Sequence, residues 1–114
     1  MNELEIKENI FDSIKHIDEE GSEFWYAREL GKQLGYSEYR KILSVINKAI
    51  ISCNNSRQNI DYHFAHVGVM INIGKGAKRQ MEDFKLSRYA CYLIAQNGDS
   101  RKKTIALAQT YFAI

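Results

Sequence analysis

An α+β domain, mainly helical, with a helix-turn-helix-like pair and a β-hairpin wing is predicted by three features. Two short helical periods meet at Gly35, an alternating run over 67–73 reads as a strand, and glycines at 74 and 76 turn that strand back. The 114 residues, 45% of them apolar or aromatic, fit one domain over 1–114 with a real core.

The first element is a helix. Leu4, Ile6, Ile10, Ile14 and Ile17 recur at helical spacing, and Gly21 suits a left-handed cap at its end. Phe24, Trp25 and Tyr26 form an aromatic run too brief for a helix and are read as a short strand.

The segment 27–50 divides at Gly35. Leu30 and Leu34 lie one turn apart before it; Tyr39, Ile42, Ile46 and Ile50 share a face after it, with Ser37 as the expected cap of the second helix. Two helices joined by such a turn match a helix-turn-helix, whose second helix meets DNA with its solvent face. That face carries Arg40, Lys41, Ser44, Asn47 and Lys48, residues able to meet phosphates or base edges. Ile42 and Val45 arrive one position later than in the usual unit, and an αα-hairpin that merely packs is the competing reading.

Cys53 to Asp61 is polar and without period, hence a loop. Val67, Val69, Ile71 and Ile73 then alternate with Gly68, Met70 and Asn72, the pattern of a strand with one buried face, and Gln80 to Phe84 returns. The tip GKGAKRQ is not a P-loop, because its glycines are two apart and no Ser or Thr follows Lys75. Gly74 and Gly76 instead supply positive dihedrals to a turn, which crowds Lys75, Lys78 and Arg79 at one end. Three like charges so close repel each other, which a visiting polyanion would relieve; an edge kept soluble by its lysines is the alternative.

Leu86, Tyr89, Ala90, Leu93 and Ile94 form another helix, capped by Ser87 and stopped by Asn97 and Gly98. Asp99 or Ser100 opens a last helix through Ile105, Ala108 and Phe112. Arg101, Lys102 and Lys103 stand at its start, where the helix dipole disfavours cations, and so form a second candidate basic patch; a salt bridge to the acidic first helix is the alternative. The apolar YFAI end reads as the N-terminal part of a longer protein.

Charge is segregated. Residues 1–38 hold four cations against ten acids, minus 6; residues 39–114 hold twelve against four, plus 8, giving the net +2. Such a field steers a polyanion toward the basic part, or lets the two parts attract one another as packed layers.

Catalytic and metal chemistry find little support. Cys53, His63, His66 and Cys91 contain no Cys-x2-Cys pair, and two histidines three apart on a strand face opposite ways. Glu82 and Asp83, adjacent in a strand, also face apart. The expectation is a non-enzymatic protein without metal or cofactor, two free thiols in a reducing cytoplasm, no membrane span and no secretory signal.

The segments FWYARELGKQLGYSEYRK, GKGAKRQMEDFKLSRYACYLIAQNGD and IALAQTYFAI resemble the N-terminal domain of the DNA-damage-inducible protein D family, which is related to the BRO-N domains of viral and phage antirepressors. The resemblance runs from Phe24 to Ile114, and LSRYACYLIAQNGD is its most distinctive stretch. It implies a bacterial or phage DNA-associated protein of the damage (SOS) response, without known catalysis and with a C-terminal part beyond this segment. SRQNIDYHF departs from the expected pattern.

Two functions follow. The first is a DNA-binding module for duplex or single-stranded DNA. The second is a protein-interaction domain that docks on an acidic repair or repressor partner or self-associates as a homodimer.

Overall fold

The computed structural model describes residues 10–114. Residues 10–13 are helical, followed by β1 (His16–Ile17), β2 (Glu23–Tyr26), α1 (Ala27–Gln33), α2 (Tyr39–Asn55) and α3 (Ile60–His63). The chain then forms β3 (Phe64–Gly74), β4 (Ala77–Leu86), α4 (Arg88–Gln96) and α5 (Lys103–Phe112). The four strands make one antiparallel sheet in the order β1-β2-β4-β3. The α+β class stands.

The start of the chain differs from the helix expected there. Ile17 pairs with Glu23 in a strand instead of ending a helix, and the expected helical positions Leu4 and Ile6 lie outside the described residues. Gly21 does take a positive φ of 85°, but in the β1–β2 turn, where Asp18 Oδ1 accepts from the backbone N–H groups of Glu20 and Ser22. A local Asx turn thus overrides the helical period.

Trp25, Leu86 and Phe64 stand in one cross-strand row, and all three are buried in the core. The Trp25 indole donates to the Phe11 carbonyl at 2.9 Å and meets the Phe112 ring edge-on, with centroids 5.0 Å apart. The sheet therefore joins residue 11 at one end of the described chain to α5 at the other. Burial of such an aromatic ring contributes a few kcal/mol.

The expected loop is confined to residues 56–59, before α3; helix α2 runs to Asn55, so Cys53, Asn54 and Asn55 are helical where a loop was expected. Cys53 is fully buried there beside Ile42, Ile46 and Ala49, which supplies the apolar anchor for the last turn. His63 likewise sits in α3 and not on a strand; Asn59 caps that turn by accepting from the Tyr62 N–H. Ser87 Oγ accepts from Ala90 N–H at 3.0 Å, the predicted cap of α4, and also meets His63 Nδ1 at 2.6 Å. Ser37 makes no capping bond, because the N-cap position of α2 falls on Glu38. The last helix begins at Lys103, later than Asp99 or Ser100, as Asp99 Oδ1 turns back to the Arg101 N–H and closes a local turn first.

The hairpin is longer than predicted, and most of it projects beyond the core. Residues 70–80 are all exposed, so the expected buried face of Val67, Val69, Ile71 and Ile73 exists only near the body of the domain. Alternation alone identifies a strand; it cannot tell how far a covering layer extends.

Candidate functional site

Gly31 brings α1 and α2 together. A Cβ built there would lie 3.2 Å from both Cβ and Cγ2 of Ile42, closer than a methyl group ordinarily sits, so the missing side chain sets how near the helices come. Gly35, with φ of 88°, then turns the chain into the short connection before α2.

α1 has no side-chain cap of its own; it takes one from the sheet. Asp83 on β4 is 3% exposed, and its Oδ1 accepts from the backbone N–H groups of Arg28 and Phe84. Burial pushes the Asp83 carboxyl above the usual carboxylate range, against the lowering effect of those hydrogen bonds and of the Arg28 charge. Arg28 also donates from Nε to the Glu82 carbonyl at 2.8 Å and lays its guanidinium 3.8 Å over the Tyr39 ring. The helix pair is in this way locked to the hairpin.

Between them lies a cavity of about 290 Å³. Arg28, Lys32 and Tyr36 line it from the first helix and the turn, Tyr39 and Ile42 from α2, and Ile71 and Met81 from the hairpin. Burial raises the pKa of both tyrosine hydroxyls, with Asp99 adding to the effect at Tyr36 and Asp83 at Tyr39, so both remain neutral donors at pH 7.

Arg40, Lys41, Ser44, Asn47 and Lys48, the predicted contact residues of α2, are all exposed on its side away from buried Ile42, Ile46 and Ala49. Arg40 pairs with Glu38 at 2.5 Å while its side chain stays 77% exposed. Lys75 itself adopts a positive φ of 50° between Gly74 and Gly76, at the tip of the hairpin. Lys78 pairs across the ladder with Asn72 and Arg79 with Ile71, so the two cations leave opposite faces of the hairpin. Arg79 is on the face that carries Ile71 and Met81, and hence on the cavity side. Among the described residues, no carboxylate forms an ion pair with Lys41, Lys48, Lys75, Lys78 or Arg79.

The second basic patch divides. Arg101 is held by Asp99 through two 3.0 Å bonds, which lower the Asp99 carboxyl. Lys102 places Nζ 5.9 Å from the Tyr36 ring centroid, over the wall of the cavity. Lys103 is exposed as the first residue of α5.

Arg28, Lys32, Tyr36 and Tyr39 were not among the residues predicted to meet a ligand. Arg28 and Lys32 are one helical turn apart, which is a legible signal, but they fall within the segment counted as acidic.

The profile described as the BRO family, N-terminal domain matches residues 13–113. The chain belongs to that family. The chain is 54% identical over 104 residues, 91% of its length, to the DNA damage-inducible protein D of Escherichia coli (strain K12). It spans 38% of that relative's length. No solved structure matches. Among the described residues no group of three or more His, Cys, Asp or Glu could hold a metal ion, and no helix is long and apolar enough to cross a membrane. Both thiols of the domain are free and buried, and burial pushes them up, which makes them poor nucleophiles.

Proposed function

We propose that this domain binds DNA, with the solvent face of α2 and the tip of the β3–β4 hairpin as two parts of one contact surface. The supporting observation is exposure without charge pairing: Arg40, Lys41, Ser44, Asn47 and Lys48 are exposed on one side of α2, Lys75, Lys78 and Arg79 are exposed at the end of the hairpin, and among the described residues no carboxylate forms an ion pair with Lys41, Lys48, Lys75, Lys78 or Arg79. Tyr39 and Ile42 at the start of α2 border the same cavity as Ile71 and Met81 of the hairpin. In this reading α2 acts as the second helix of a helix-turn-helix and the hairpin as its wing. Arg40, Lys41, Ser44, Asn47 and Lys48 meet phosphates and base edges, while Lys75, Lys78 and Arg79 hold adjacent backbone. Lys102 and Lys103 extend the basic rim; Arg101 contributes less, being held by Asp99.

The corresponding biological setting in this reading is a non-enzymatic, cytoplasmic role in the response to DNA damage; the name of the Escherichia coli relative supports the link to DNA damage. Equilibrium binding of labelled duplex and single-stranded DNA at low and moderate salt tests the proposal. It predicts an affinity for at least one form that falls steeply with salt. Absence of binding to both at low salt, with retention of an acidic protein partner, would favour the protein-docking alternative.

A further inference from the structure

The hairpin also has a free edge. β3 is the outer strand of the sheet; β4 lies on one side of it, and α3 precedes its first residue. Phe64 gives its N–H to the Ile60 carbonyl at the end of α3, but among the described residues no backbone hydrogen bond outside the strand ladder reaches 65–74, so the outward N–H and C=O groups of that stretch are unpaired. Natural edge strands of that length are commonly blunted by lysine, proline or an inward charge. FAHVGVMINIG contains no proline and no Lys, Arg, Asp or Glu; the hairpin's cations all lie in the turn or on β4. The single irregularity in the ladder falls at Asn72–Gly74, next to the tip, and leaves the pairing regular before it. Met70 and Ile73 are 61% and 58% exposed along this edge.

We infer that β3 is a self-pairing edge, joining β3 of a second copy of this chain antiparallel across a two-fold axis near Val69. Two features select a second copy as the occupant. The first is self-complementarity. A two-fold axis perpendicular to the sheet keeps odd-numbered residues on one face, so Val69 meets Val69 of the other copy and Val67 meets Ile71, extending a single apolar stripe. The second is charge. The body end of β3 has an acidic excess: Asp18, Glu20 and Asp61 line a concavity there together with Ala65 of β3, against the single cation Lys85, while Glu23 in the same lining is held by Arg88. The far end is the basic tip. Antiparallel pairing sets the tip of each copy beside the acidic end of the other, twice over, which a neutral or purely acidic foreign strand would not satisfy. This inference does not depend on DNA binding.

Sedimentation equilibrium of the 114-residue chain over a concentration series tests it. The apparent mass rises from 13.2 kDa toward twice that value. Met70→Lys and Ile73→Lys, at exposed positions, return it to the monomer with an unchanged circular dichroism spectrum. Asp61→Lys weakens association roughly threefold to tenfold, and adding Lys78→Glu restores it. Oxidised Val69→Cys gives a disulfide-linked dimer, the two native thiols being buried. A monomer at every concentration would overturn the inference, and so would a dimer whose constant ignores the Met70 and Ile73 changes.

Discussion

Arg88 Nε lies 2.6 Å from Glu23 Oε2, and its Nη2 lies 3.1 Å from Glu23 Oε1, so a two-pronged ion pair fastens the start of α4 to the first residue of β2. The same guanidinium donates to the Tyr111 carbonyl at 3.1 Å and lies 5.2 Å from the Trp25 ring centroid. One side chain therefore ties β2, α4 and α5 together. Arg88→Met should cost about 1–3 kcal/mol in urea unfolding, since it leaves a partly buried carboxylate and a carbonyl without their donor. Arg88→Lys should recover only part of that deficit, because an ammonium cannot make the forked contact.

Arg88 holds the Glu23 carboxyl below its ordinary value of 4.5, first through the side-chain hydrogen bond. A depressed folded-state pKa means that the unfolded chain binds the proton more tightly. The stabilisation is thus present above about pH 4.5 and is lost as the pH falls through the folded value. Glu23→Gln should flatten the acid limb of stability against pH, measured as the urea midpoint between about pH 5 and pH 3. An acid limb identical to that of the unmodified protein would count against this assignment.

Asp83 carries the opposite sign. Its carboxyl is raised by burial above 3.8, so the charged form is held at a cost that is relieved as the pH falls through the raised value. Asp83→Asn keeps an oxygen for the Arg28 and Phe84 N–H groups and removes the buried charge. It should match or exceed the unmodified protein at pH 7, with the difference closing in acid. Asp83→Ala, which uncaps α1, should cost about 1–2 kcal/mol. Chemical denaturation at two pH values distinguishes the two variants.

Gly31→Ala tests the locking of the helix pair. The new methyl would stand 3.2 Å from Ile42, a residue that is 1% exposed and cannot yield freely. A destabilisation of about 1–3 kcal/mol is expected, rising with Gly31→Val, and thermal melts would register it.

Much of this architecture is legible in the chain itself. The Gly35 division, the short aromatic strand, the two-glycine turn and the Ser87 cap each follow from a local rule that no distant neighbour contradicts. What was not legible depends on partners far apart in sequence. Asp83 caps a helix 55 residues earlier, and Cys53 is drawn into a helix by its burial in the core and not by its polar neighbours. Arg28 and Lys32 border the cavity while lying in a segment whose summed charge is negative, and summed charge discards position. The contrast between Arg101, which Asp99 occupies, and Lys102, which leans over Tyr36, is likewise decided by side-chain geometry within two adjacent residues.

The slope of DNA affinity against salt concentration, compared between the unmodified domain and two alanine sets, tests the proposed contact surface most directly. The Lys75, Lys78 and Arg79 set and the Arg40, Lys41 and Lys48 set should each flatten the slope by roughly one unit for every phosphate left without its cation. Only the helix set, with Ser44 and Asn47 added, should also alter any sequence preference. A slope that either set leaves unchanged would contradict a surface shared by the helix and the hairpin tip.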